Sequence, residues 1–145
     1  MNKNLTIFGV AVLLILVVGL SGCVTSNVDI IIDDNYYKNA PRDPFVFNSV
    51  KLRRNLLFLN VSYSGGCEEH KFVLIATSFM ESYPVQVNIV LSHEDHDDPC
   101  DAWITEKMVF NLFPLKKAWQ EQYNEESGII IMNLEGWEES LSYEF

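Results

Sequence analysis

Leu56-Leu57-Phe58-Leu59-Asn60-Val61-Ser62-Tyr63 is the stretch whose reading decides the fold. Leu57, Leu59, Val61 and Tyr63 fall on one face and Leu56, Phe58, Asn60 and Ser62 on the other, the period of two that a strand requires and a helix cannot keep. The second face begins apolar and ends polar, and Ser64-Gly65-Gly66 stops the run. The pattern recurs on both sides. Phe45–Leu52 alternates, with Phe45, Phe47, Ser49 and Lys51 opposite Val46, Asn48, Val50 and Leu52. Tyr83, Val85, Val87, Ile89 and Leu91 alternate with more polar neighbours, and 103–112 places Ile104, Met108, Phe110 and Leu112 on one side. Phe72–Phe79 is apolar on both faces, as a central strand covered on both sides would be.

The flanks add shorter pieces. Val28–Ile32 is β-branched and closed by Asp33-Asp34-Asn35, and Asn39-Ala40-Pro41-Arg42-Asp43-Pro44 reads as a loop stiffened by two prolines. Pro114–Tyr123 switches period: Leu115, Ala118, Trp119 and Gln122 recur at helical spacing, with Pro114 suited to a first turn. Ile129–Met132 and Leu141–Phe145 supply the last strands. The expected class is mainly β, an antiparallel β-sandwich or barrel-like fold of about seven strands with one short helix. No internal repeat is present, and residues 28–145 form one domain.

The first 22 residues differ from the rest. Asn2-Lys3-Asn4 is a short polar head, Leu5–Leu20 is a run of mostly apolar residues, and Leu20-Ser21-Gly22-Cys23 ends it. Sixteen helical residues span roughly 24 Å, short of a ~30 Å hydrocarbon core. The small-small-Cys ending resembles the cleavage site of prokaryotic lipoprotein signals. That resemblance implies removal of residues 1–22, lipidation (palmitate-type acyl chains) of Cys23, a tether over 23–27 and a place on the extracytoplasmic face of a membrane. The rival is an uncleaved N-terminal helix, which predicts the same sidedness.

Charge narrows the partners. The whole chain carries a formal −10, and without residues 1–22 nine basic residues face twenty acidic ones, a balance of −11. Phosphate-backbone binding needs clustered cations, and the one tight basic group is Lys51-Leu52-Arg53-Arg54. Nucleic acid is therefore not expected, nor is adhesion of the folded domain to anionic head groups. Attachment to the membrane is expected through the N-terminal lipid alone.

With Cys23 assigned to lipid, Cys67 and Cys100 remain as a natural pair in a compartment that permits disulfides. Both sit at strand ends, and a bridge would close a loop of about 34 residues. A second chemistry competes, because all three histidines lie beside these cysteines: Cys67-x2-His70 and His93-x2-His96-x3-Cys100. Zinc or copper(I) takes sulfur and nitrogen ligands at such spacings, at the expense of the disulfide. A third arrangement keeps the bridge and forms a zinc or copper(II) site from His70, His93 and His96 with Asp95, Asp97 or Asp98.

Catalytic patterns are weak. His93-Glu94-Asp95-His96 has its histidines three apart rather than four, and neither a G-x-S-x-G nor a phosphate-cradling glycine loop occurs. Cys67 with His70 could be drawn as nucleophile and base, but a bridged Cys67 has no thiolate to offer. No enzyme activity and no required cofactor are expected. Asn60-Val61-Ser62 matches an N-glycosylation acceptor but falls within a strand. Three tryptophans and several tyrosines are available as interface anchors, although Trp103 and Trp119, at strand and helix spacing, are expected in the core.

Gly65-Gly66-Cys67-x2-His70, followed by His93 and Asp98-x-Cys100, resembles a pattern of small secreted and lipid-anchored prokaryotic domains of no characterised activity, over residues 45–115. It implies an extracytoplasmic β-rich fold with paired cysteines. The expected function is a membrane-anchored extracytoplasmic lipoprotein acting as a binding or envelope-associated module for a protein or small-molecule partner. The alternative is a zinc- or copper-binding protein using His70, His93 and His96.

Overall fold

The computed structural model describes residues 27–145. The expected signal peptide, the lipidation site Cys23 and residues 23–26 of the tether lie outside the described residues. Nine strands and two helices follow in order: β1 (Val28–Asp29), β2 (Ile31–Ile32), α1 (Asp34–Asn39), β3 (Val46–Arg53), β4 (Leu56–Gly65), β5 (Lys71–Ala76), β6 (Val85–Glu94), β7 (Ala102–Asn111), α2 (Phe113–Tyr123), β8 (Ile129–Leu134) and β9 (Leu141–Glu144). One sheet has the order β1-β7-β4-β3 and the other β2-β5-β6-β8-β9. Their inner faces share a single apolar cluster, in which Leu57, Leu59 and Phe110 of the first meet Leu74, Ile89, Ile130 and Tyr143 of the second. The mainly-β expectation holds, and the architecture is a sandwich of two sheets.

Four details depart from the sequence reading. Val28–Ile32 is not one strand: the chain pairs with β7 through Val28 and Asp29, buries Ile30, then pairs with β5 through Ile31 and Ile32. It thus crosses from one sheet to the other. Those two pairings are parallel, and so is β6 with β8, so the sheets are mixed rather than purely antiparallel. Parallel neighbours need a long crossover, and β6 reaches β8 by way of β7 and α2.

The second departure is an extra helix. Asp33 ends no strand but caps α1, its carboxylate accepting from the Tyr36 N–H at 2.8 Å. Tyr36, Tyr37 and Ala40 then cover the outer face of β5 and β6 at Val73, Ile75 and Val90. This explains why the β5 run is apolar on both sides.

Third, β3 does not keep strict alternation. Phe47 pairs with Val61 but Ser49 pairs with Asn60, so Asn48 is an extra residue, a bulge that exchanges the two faces. Phe45 and Phe47 before it, and Val50 and Leu52 after it, all pack on the core, while Val46 is 53% exposed. Fourth, Tyr83 and Trp103 are exposed instead of sharing the core-facing positions of their neighbours. β6 begins only at Val85, after Tyr83-Pro84. α2 matches its expected span, with Leu115 and Trp119 buried one turn apart.

The bulge makes a checkable distinction. Leu59→Ala, at a position 2% exposed, should lower unfolding stability in urea by about 2–5 kcal/mol. Val46→Ala should change it by no more than about 0.5 kcal/mol, although unbroken alternation would group Val46 with the core-facing Val50 and Leu52.

Candidate functional site

Two connections cross between the sheets at the same end of the sandwich, 66–70 from β4 to β5 and 95–101 from β6 to β7. They meet at a disulfide between Cys67 and Cys100, whose Cα atoms are 5.8 Å apart. Beside it lies Asp98, its side chain 1% exposed. Asp98 Oδ2 accepts from the backbone N–H groups of Gly66 at 2.7 Å, Cys67 at 2.9 Å and Glu68 at 3.0 Å, and Oδ1 accepts from Cys100 N–H at 2.8 Å. Those donors hold the carboxyl well below the ordinary carboxylate range, the Glu68 N–H most of all, against the opposing effect of burial.

The carboxylate also faces a histidine pair. His70 Nε2 is 3.1 Å from Asp98 Oδ2, His70 Nδ1 is 2.8 Å from His93 Nε2, and His93 Nδ1 is 3.1 Å from the Asp43 carbonyl. Asp43 is in place because residues 41–43 run beside β6, with Asp43 N–H donating to the His93 carbonyl and His93 N–H to Pro41. The rings are walled by aromatics: Tyr63 stacks on His70 at 4.5 Å and Phe72 on His93 at 4.3 Å. The His70 side chain is 2% exposed and His93 is 1% exposed.

A carbonyl and a carboxylate only accept, so His93 Nδ1 donates to Asp43 and His70 Nε2 donates to Asp98. Burial lowers the affinity of His93 for a proton, opposed by its hydrogen bond to the Asp43 carbonyl.

Gly65 is required for this packing. A Cβ there would lie 2.7 Å from His70 Cε1 and 2.9 Å from Asp98 Oδ2. Gly66 follows at φ +120°, a backbone angle that glycine alone adopts readily.

The six residues singled out from sequence divide as follows. Cys67 and Cys100 are bonded to each other, which removes the thiolate-ligand arrangement and the Cys67 nucleophile. His70 and His93 are brought together, each with both ring nitrogens engaged. His96 stands apart and exposed: its Nδ1 donates to the Glu69 carbonyl at 2.6 Å and its Nε2 is 3.8 Å from Glu94. Three histidine nitrogens therefore do not converge on one point, against the His70/His93/His96 metal reading. Among the described residues one group of potential ligands is close enough to share an ion, Cys67, Asp98 and Cys100, and its sulfurs are used in the disulfide. Cys23 lies outside the described residues. The part played by Asp98, and the stacking of Tyr63 and Phe72, were not read from sequence; the Gly65-Gly66 pair was the available signal of a close approach.

No family model matches the chain, and no curated protein matches it. Similarity appears among solved structures. A NigD-like immunity protein from Bacteroides caccae superposes with a TM-score of 0.52 at 15% identity, over 80% of this chain and 58% of the other. A toxin-related protein from Parabacteroides distasonis gives 0.47 at 19% identity (82% and 60%), and a protein of unknown function, DUF1344, from Bacteroides vulgatus gives 0.49 at 10% (81% and 55%). The chain spans less than two thirds of the length of each. The first of these shows a shared β-rich fold.

Two outcomes follow from the geometry. Replacing both Cys67 and Cys100 by alanine should lower stability by about 3–4 kcal/mol, the chain-entropy value for a loop of this length, measured by urea unfolding without reductant. The ionisable groups facing the histidine pair are Asp98, Asp43, Asp95 and Tyr63. His93, whose proton affinity is lowered in the fold, contributes stability that is present above pH 6.5 and erodes as pH falls below it. Asp98, also lowered, contributes stability that is full above pH 3.8 and is lost below it. Urea midpoints across pH should show both declines, and Asp98→Asn should abolish the lower one while destabilising the protein at neutral pH.

Proposed function

We propose that the protein is a lipid-anchored module on the extracytoplasmic face of a membrane, held by acyl chains on Cys23, and that it acts by binding and not by catalysis. The observation that carries this is the Cys67–Cys100 disulfide. Bridges of this kind persist in oxidising compartments and are rare where thiols are kept reduced, and the small-small-Cys sequence before position 24 supplies a route out of the cytosol and a means of staying at the membrane. No helix among the described residues is long and apolar enough to cross a membrane. The histidine pair is closed on itself and offers no catalytic group. Its ring nitrogens are all engaged, its walls are aromatic and its side chains are shielded from solvent, so it has no free base to present to a substrate.

Mass measurement on protein extracted from native membranes tests this. The expected result is a chain beginning at Cys23, heavier by its acyl groups and lighter by the two hydrogens of one disulfide, with Cys23→Ala accumulating as unprocessed precursor. Full-length, unmodified protein in the soluble cell fraction with Cys67 and Cys100 reduced would overturn it.

A further inference from the structure

At the opposite end of the sandwich from the disulfide, α2, the start of β6 and the end of β9 enclose a half-open cavity of about 890 Å³. Its walls come from residues 81–85, from α2 and the turn that follows it, and from residues 144–145. Trp119 and Tyr123, with ring centroids 5.2 Å apart, form the inner wall, and the fully exposed Tyr83 stands at the mouth. Gly128 makes room for this arrangement: a Cβ there would lie 2.8 Å from Trp119 Cζ3, so the indole rests flush on bare backbone. The Trp119 indole N–H, on a side chain 8% exposed overall, is the buried polar atom that lacks a hydrogen-bond partner among the described residues.

The charge on these walls has one sign. Glu81, Glu125 and Glu144 line the cavity, and no lysine, arginine or histidine does. The other large surface groove, on the far edge of the sheets, differs in containing Arg42, engaged with Glu135 at 2.9 Å. Near the aromatic cavity the neighbouring cation is Lys116, whose Nζ sits 5.1 Å from the centre of the Phe145 ring. That contact shows an aromatic of this wall already taking a cation on its face. Carboxylates beside aromatic faces attract a positive group more strongly than either does alone, because the ring quadrupole and the anions act in the same direction. The volume is that of a small-molecule site.

We infer that this cavity binds a small organic cation, an alkylammonium or quaternary ammonium whose charged end faces Glu81, Glu125 and Glu144 and whose apolar body lies on Trp119, Tyr83 and Tyr123. This deepens the binding role proposed above by giving the guest a chemistry, but it does not depend on the anchor and is tested without it.

The test is a titration of residues 24–145 with choline and, separately, with its neutral isostere 3,3-dimethyl-1-butanol, followed through the Trp119 indole N–H resonance. Choline should shift that signal saturably and the alcohol should not. Combined Glu81→Gln and Glu144→Gln should weaken choline about tenfold, and Tyr83→Ala, at an exposed position that leaves folding intact, should weaken it as well. Glu138→Gln, in the other groove, should leave it unchanged. Equal binding of the alcohol, an absence of saturation, or equal loss in Glu138→Gln would each overturn the inference, the last by reducing it to the general field of an acidic protein. Tighter binding of a lysine-containing hexapeptide than of any free amine would overturn the small-molecule assignment.

Discussion

One buried carboxylate holds the two crossovers of the sandwich together. Asp98 gathers N–H groups from Gly66, Cys67 and Glu68 on one loop and from Cys100 on its own, and its remaining partner is His70. Each loop leads from one sheet to the other, so fixing them to each other fixes the spacing of the sheets at that end. The disulfide sets which residues meet, and the carboxylate satisfies the backbone donors that the meeting would leave without acceptors. The His70 Nε2 hydrogen adds a side-chain donor to the same carboxylate. The stacked rings of Tyr63 and Phe72 then wall off these contacts from water.

The strands were legible in the sequence wherever one face is buried and the other wet. Leu57, Leu59, Val61 and Tyr63 are all in the core as alternation requires, and Phe110 and Leu112 behave likewise. What escaped depends on contacts between distant segments. A bulge at Asn48 adds one residue without changing composition, so β3 kept its strand character while exchanging its faces. Six residues of α1 are too few to display a helical period, and their only local mark was Asp33, which fits a cap as well as a strand end. The parallel partners of β1, β2 and β8 are set by tertiary packing, which no local pattern records.

The candidate site was half legible for the same reason. Adjacency in sequence put all three histidines beside cysteines, but only two of them reach the interior. His93 lies on β6 opposite Phe72, and His70 is the residue before β5, next to the opposed Lys71–Glu94 pair, whereas His96 belongs to a turn with positive φ and points to the Glu69 carbonyl. The two charge environments of the domain are also distinct. At the disulfide end a single carboxylate is enclosed among N–H donors out of water, and at the α2 end three glutamates border an aromatic wall whose lining residues include no base. An overall balance of −11 conceals that difference.

The split at Ile30 has a mechanical consequence. The first described strand segments, β1 and β2, lie parallel to β7 and β5, one in each sheet, with Ile30 buried between them. A pull along these strands from the N-terminal side would load their ladder bonds in shear. It would reach β7 first through Val28 and Asp29 and then, past the buried Ile30, β5 through Ile31 and Ile32.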